Sequence, residues 1–248
     1  MTPTLEDQVV AITGASSGIG EATALACAQA GAAVSLAARR TDRIEALAKR
    51  INDDGGRAIA IATDVGHHVQ AATFVTRTRD ELGRIDALVN NAGVMLLGPI
   101  AGAPLEEWQE MIHANVFGVL YCTHAAFPIM VGQGSGHIIN ISSVAGRIAR
   151  AGSGVYNLTK FGVGAFSESL RQEGSPAGVR VTLIEPGAVA TELAGHNREE
   201  IIEVMRKNFA GTTPLEAQDI ANAILYALAQ PANVSINEVL VRPTSQAR

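Results

Sequence analysis

The 248-residue chain is predicted to be an α/β protein, a doubly wound parallel sheet in three α/β/α layers. Two observations carry that prediction. Short apolar runs alternate with longer stretches of helical period along the whole chain, as expected of βαβ units. Those runs are apolar on both sides of the strand alternation, as they are when both faces of a sheet are covered.

The first strand spans 8–13 and leads into Thr13-Gly14-Ala15-Ser16-Ser17-Gly18-Ile19-Gly20, which closes it and opens a helix over 18–30. Glycines at such a turn let backbone N–H groups approach a phosphate at the positive end of a helix dipole. The spacing is G-x-x-x-G-x-G, not the common G-x-G-x-x-G, and a glycine-rich turn without a ligand is the alternative. A second strand, 33–38, ends at Ala38, and Arg39-Arg40 follow before a helix over 42–53 that Asp42 can cap. The third strand, 58–63, is followed by Asp64 and Val65 and a helix over 68–82. After the fourth strand, 87–89, comes Asn90-Asn91-Ala92-Gly93, at the carboxyl end of the sheet where open α/β folds bind ligands. Adjacent asparagines there also read as ordinary turn formers.

One long helix is predicted over 105–131, with Asn115 in its interior. A buried mid-helix amide must be hydrogen-bonded. It reads either as a satisfied core amide or as the mark of a helix distortion holding a water near Lys160. The fifth strand, 137–141, precedes Ser143; a helix over 154–172 follows, then a sixth strand at 180–184. The stretch 188–213 breaks the rhythm and is longer than an ordinary αβ connection, so it is predicted to be a small helical insertion, a lid. A helix over 217–229 and a strand over 238–241 end the pattern. There is no linker or repeat, which makes 1–248 one domain.

A net charge of −5 offers no basic surface for nucleic acid. No apolar run is expected to approach bilayer-spanning length, and no signal peptide is visible, so a cytoplasmic protein without membrane contact is expected. Cys27 and Cys122, each among small and apolar residues, read as packed thiols. The histidines lack ligand spacing, and no metal site is expected.

Chemistry concentrates on the helix over 154–172. Tyr156 and Lys160 lie four apart, one turn above each other on one face. A nearby ammonium is expected to lower the phenol pKa, making an acid/base for a carbonyl or alcohol oxygen, with Ser143 holding the same oxygen. A bare Y-x-x-x-K is also a common surface pair. Gly14-Ala15-Ser16-Ser17-Gly18 matches the G-x-S-x-G of a hydrolase elbow, but that reading leaves Tyr156, Lys160 and Ser143 unused.

Together the motifs resemble the short-chain dehydrogenase/reductase family over nearly the whole chain: 13–20 as the cofactor loop, 90–93 as N-N-A-G, and Ser143, Tyr156 and Lys160 with Asn115 as the catalytic set. Pro186-Gly187 with Thr191 resembles the family's segment along the nicotinamide. The resemblance implies a Rossmann fold and hydride transfer between a carbonyl (aldehyde or ketone) and an alcohol, with Tyr156 as acid/base. Lys160 would lower its pKa and hold the ribose, and Asn115 would anchor a relay water. A non-catalytic dinucleotide-binding protein is the alternative, and it would be expected to lack the Tyr/Lys/Ser set.

Segments 91–99, 159–163 and 241–244 look most like the clavulanate dehydrogenase branch, which reduces an aldehyde with NADPH, and are also similar to a group acting on 3-hydroxy acids and serine. The cofactor is expected to be NADP(H): no acid stands at Ala38, and Arg39-Arg40 can take a 2′-phosphate, with Asp64 left for the adenine edge. The resemblance places Gly14, Ser16, Ser17, Gly18, Ile19, Gly20, Val65, Asn91, Ala92, Gly93, Pro186, Gly187, Val189 and Thr191 at the cofactor. Substrate walls are expected from Met95, Ala145, Arg147, Val155, Val189, Leu193 and His196. Arg147 reads either as a solvated loop charge or as a cation for an anionic substrate group. The family's long central helices imply a homotetramer.

Overall fold

Val9–Thr13 forms strand β1, buried at every position, and it lies in the interior of a seven-stranded sheet. The computed structural model describes residues 4–208 and 211–247. Strands β2 (Ala33–Ala38), β3 (Arg57–Ala62), β4 (Ala87–Asn90), β5 (Gly136–Ile141), β6 (Val179–Pro186) and β7 (Glu238–Val241) complete the sheet in the order β3-β2-β1-β4-β5-β6-β7. Every neighbouring pair is parallel. Chain order reverses between β1 and β4, which opens a crevice at their carboxyl ends.

The strand period sorts side chains between two cores. Val10, Ile12, Val34 and Leu36 point to the face covered by helices α1 (Gly18–Gln29), α2 (Thr41–Asp53) and α8 (Ala217–Leu228). Ala11, Ala37, Leu88 and Ile138 point to the face covered by α3 (His68–Leu82), α5 (Gly118–Gln133) and α6 (Gly154–Gly174). The predicted three layers are therefore present, with most boundaries displaced by a residue or two.

Two expectations change. The helix predicted over 105–131 is α4 (Leu105–Ile112), a π-helical turn His113–Phe117 and α5, with Asn115 at the middle of the π turn. The whole run Leu105–Gln133 has 29 residues, and its most apolar 18-residue window has a mean hydropathy of 1.4, so it is long and apolar enough to cross a bilayer, contrary to the sequence reading. Here it packs along the sheet through Val119, Cys122, Ala126 and Met130. Only 39% of its most apolar window is buried, and Val116, Leu120 and Tyr121 are half-covered.

The insertion after β6 is helical, with a 3-10 turn Glu192–His196 and α7 (Glu199–Asn208). Its base is closed where Ala190 N donates to Leu215 O at 2.8 Å and Leu215 N to Ala188 O at 2.9 Å. Its front is clipped to the segment after β4 by Asn197, which accepts from Leu97 N at 2.7 Å and donates to Met95 O at 3.0 Å.

Candidate functional site

The glycine turn works by close approach. Gly14 and Gly18 hold φ of +66° and +57°, and a Cβ on Gly14 would lie 2.8 Å from the Ala92 Cα. Glycine adopts this left-handed backbone without steric penalty. Thr13 joins the two loops at the crevice, its hydroxyl accepting from Asn91 N and Ala92 N at 3.0 Å each. Asn91 returns the contact by donating to Thr13 O at 2.9 Å and Gly14 O at 3.2 Å. Asn90 instead turns into the core. Its amide donates to Thr123 at 3.1 Å and Asn140 at 2.9 Å, and Asn140 donates to Ser167 at 2.8 Å.

A cleft of about 1800 Å³ runs over the carboxyl ends of the strands. Gly14, Ser16, Ser17, Gly18 and Ile19 line its first part, with Arg39, Arg40, Asp64 and Val65. Asn91, Ala92 and Gly93, then Pro186, Gly187, Val189 and Thr191, line its middle. Ser143, Tyr156 and Lys160 line it further on, with Met95, Ala145, Leu193 and His196. The donor set suits a dinucleotide: a glycine turn at a helix N-terminus, two serine hydroxyls and a guanidinium beside them.

Four expected site residues do not line the cleft. Gly20 packs the helix against the turn, since a Cβ there would sit 2.3 Å from Gly14 O. Val155 joins a small core cluster with Val94, Met111 and Tyr156. Arg147 is drawn to the sheet edge by two carboxylates: Nε donates to the buried Glu185 at 2.7 Å, and the guanidinium also pairs with Glu238. Asn115 spends its amide on Val94, accepting from N at 2.8 Å and donating to O at 2.8 Å, and donates to Thr159 at 3.2 Å. It therefore clamps the turn beside Gly93, where a Cβ would lie 3.0 Å from its Oδ1 and 3.8 Å from Lys160 Nζ.

Arg40 lies across the glycine turn. Nε and one terminal nitrogen donate to Ser16 at 3.1 and 3.0 Å, and that same nitrogen donates to Ser17 at 2.7 Å. Its other terminal nitrogen pairs with Glu192 of the insertion at 2.7 Å, and Arg43 takes the second Glu192 oxygen at 2.8 Å. Hydrogen bonds from Arg43 and then Arg40 hold the Glu192 carboxyl down at about 2. Arg39 is 63% exposed and meets Glu110 at 3.6 Å. Ser16 thus serves Arg40, and among the described residues no hydrogen bond joins it to a histidine, as a hydrolase nucleophile would require.

In the part of the cleft lined by Tyr156 and Lys160, Ser143 donates to Pro186 O at 3.4 Å and accepts from Ala145 N at 3.1 Å. Lys160 Nζ donates to Ile141 O at 2.9 Å and sits 5.7 Å from the centre of the Tyr156 ring. The expected lowering of the phenol pKa is reversed in the protein alone. Burial pushes Tyr156 up to about 12, against a smaller downward pull from its hydrogen bond with Ser143. Burial also brings Lys160 down to about 8. The ammonium faces the ring and a carbonyl, so desolvation of the phenol prevails.

Asn157, next to Tyr156 and 5% exposed, was not anticipated. Its amide donates to Ala145 O at 2.7 Å and Ile148 O at 3.0 Å and accepts from Arg150 N at 3.2 Å, pinning the loop that follows Ser143. An asparagine inside a helix was the available signal, as it was for Asn115.

A family model described as short chain dehydrogenase matches residues 8–202. The chain is 41% identical to an uncharacterised oxidoreductase of Staphylococcus saprophyticus, with 98% of each chain covered. It is 39% identical to glycine betaine reductase ATRR of Emericella nidulans over 98% of this chain, and spans 19% of that relative's length. Among solved structures, the closed form of serine dehydrogenase complexed with NADP+ is 34% identical, with a TM-score of 0.90 and 97% of each chain covered. A metagenomic short-chain oxidoreductase in complex with NADP is also 34% identical, with a TM-score of 0.83 and 98% of this chain and 99% of that one covered.

Proposed function

The chain belongs to the short-chain dehydrogenase family, and on that premise we propose that it is an NADP(H)-dependent oxidoreductase interconverting a carbonyl compound and an alcohol. The observation that carries this reading is the meeting of Ser143, Tyr156 and Lys160 in the cleft that also holds the glycine turn. When bound, the nicotinamide supplies or accepts the hydride.

The protein's own groups do the rest. Tyr156, kept protonated at neutral pH by burial, gives its proton to the substrate carbonyl oxygen and takes it back from the alcohol in reverse. Ser143 holds that oxygen through its hydroxyl. Lys160, with a pKa near 8, remains largely cationic at neutral pH and stabilises the phenolate left after transfer. Asn115 acts as a positioning residue through the turn beside Lys160. Glycine-turn N–H groups and the hydroxyls of Ser16 and Ser17 would hold the pyrophosphate. Arg40, with Arg39, would take the 2′-phosphate, and the two NADP-bound relatives support that choice. Asp64 is left for the adenine edge.

The substrate reading has two branches: an aldehyde, from the resemblance to clavulanate dehydrogenase, or a 3-hydroxy acid or serine, favoured by the likeness to serine dehydrogenase. Glu192–His196 and α7 would form the lid over it. Assembly as a homotetramer in the cytoplasm completes the proposal; the half-covered apolar side chains of Leu105–Gln133 and the exposed Leu158 and Phe161 on α6 support the assembly. The decisive variant is Tyr156→Phe. Turnover of a carbonyl panel with NADPH should fall at least about 100-fold, while NADPH binding measured by calorimetry persists. Retained turnover would remove Tyr156 from the chemistry.

A further inference from the structure

The charges lining the cleft are mostly spoken for. Arg39 meets Glu110, Arg40 meets Glu192, and Arg206 meets Glu199 at 3.9 Å. Lys160 is turned to Ile141 O. Arg150 also lines the cleft, and among the described residues it is the one arginine there with no carboxylate partner in hydrogen-bond or ion-pair range.

Its backbone is fixed although its side chain is free. Asn157 accepts from Arg150 N, and Arg150 O accepts from Ser153 N at 3.1 Å. Asn157 follows Tyr156 directly and is buried, so the residue that carries the acid/base phenol is joined rigidly to the base of Arg150. The same cleft has apolar side chains in its wall, among them Ile148, Leu193 and Met205. A guanidinium at such a wall would take an anionic group in a forked, charge-assisted pair.

We infer that Arg150 is the anchor for the carboxylate of the substrate, which makes the substrate class a short hydroxy acid and its oxo acid. The assignment rests on the oxidoreductase reading above and refines its second branch. It also moves the substrate cation from Arg147, which Glu185 and Glu238 hold at the sheet edge, to a residue three positions on. Glu106 and His196 also line the cleft, so a hydroxy acid with an added amino group fits the same class with Glu106 available to its ammonium.

The test compares a 3-hydroxy acid, its methyl ester and the matching hydroxyalkyl phosphate, with NADP+, in wild type, Arg150→Gln and Arg147→Gln. Wild type should favour the acid, mainly through KM. Arg150→Gln should reduce the acid-to-ester ratio of kcat/KM by about 10- to 100-fold, the loss expected for one hydrogen bond to a charged group. Binding of the acid to the NADP+-loaded protein, followed by calorimetry, should weaken in parallel. Arg147→Gln should leave the ratio alone. Equal use of acid and ester, or a ratio unmoved by Arg150→Gln, overturns the carboxylate anchor while the oxidoreductase reading stands. Preference for the phosphate overturns the acid class. Failure to turn over any of the three, with no binding of the acid, overturns this assignment, and the carbonyl panel with Tyr156→Phe then decides the broader reading separately.

Discussion

Replacing Lys160 by methionine should change how stability depends on pH, and burial sets the size of the change. The side chain is 7% exposed, and its pKa falls from 10.5 to about 8 in the folded protein. Between those values the unfolded chain binds more protons than the folded one, so the unfolding free energy rises with pH across that window. The wild type is therefore least favoured below pH 8, where a desolvated ammonium must stay charged, and it recovers toward pH 10.5. At 1.36 kcal/mol for each pH unit of difference, the recovery amounts to about 3 kcal/mol.

Methionine removes that dependence, and it also removes the hydrogen bond to Ile141 O, a loss of about 1–3 kcal/mol that does not vary with pH. The useful quantity is thus the difference between wild type and Lys160→Met as a function of pH. Cys27, Cys122 and Tyr156, all raised to about 12 by burial, contribute stability that is present below their unfolded values and lost as pH rises further. They are common to both proteins and cancel to first order. Thermal unfolding of the dinucleotide-free proteins should show the wild type gaining about 6–12 °C on the variant between pH 7.5 and 10.5, from about 2–4 °C per kcal/mol at this chain length. A difference that stays flat or shrinks would mean that water reaches the ammonium, and the burial argument would fail.

Two further substitutions probe the cofactor side. Gly20→Ala places a methyl 2.3 Å from Gly14 O and 2.6 Å from Asn91 Nδ2, so the turn must open; stability should fall by about 1–3 kcal/mol and NADPH binding by calorimetry should weaken with it. Arg40→Ala removes the guanidinium over Ser16 and Ser17 and should raise KM for NADPH more than for NADH, whereas an equal effect on both would deny it the 2′-phosphate.

The sheet was legible because its inner strands are buried on both faces, and such strands show as apolar runs whatever surrounds them. β1 and β2 illustrate this, lying within one residue of their expected spans. The π turn at His113–Phe117 was not legible as such. An inserted residue in a helix leaves the apolar pattern nearly intact, and Asn115 was its one trace. The apolar length of Leu105–Gln133 was underestimated for a related reason: the run is interrupted by polar residues, such as Asn115 and the pair Thr123-His124, which a count of consecutive apolar residues treats as breaks.

At the site, spacing identified partners but not surroundings. Tyr156 and Lys160 could be paired because a helix fixes what lies one turn apart. The sign of the phenol shift could not, because burial of Tyr156 depends on elements distant in sequence. The same limit explains the two arginines. Arg147 and Arg150 lie three residues apart in one loop, and nothing local distinguishes them. Glu185 on β6, 38 residues away, claims the first, while Asn157 on α6 fixes the backbone of the second. Which cation a substrate meets is thus decided by what the sheet edge has already neutralised. A Glu185→Gln substitution would weaken that claim on Arg147 while leaving the bond from Arg150 N to Asn157 in place. If Arg150 is the anchor, the acid-to-ester ratio should survive that change, because the cleft never depended on the cation that the sheet edge holds.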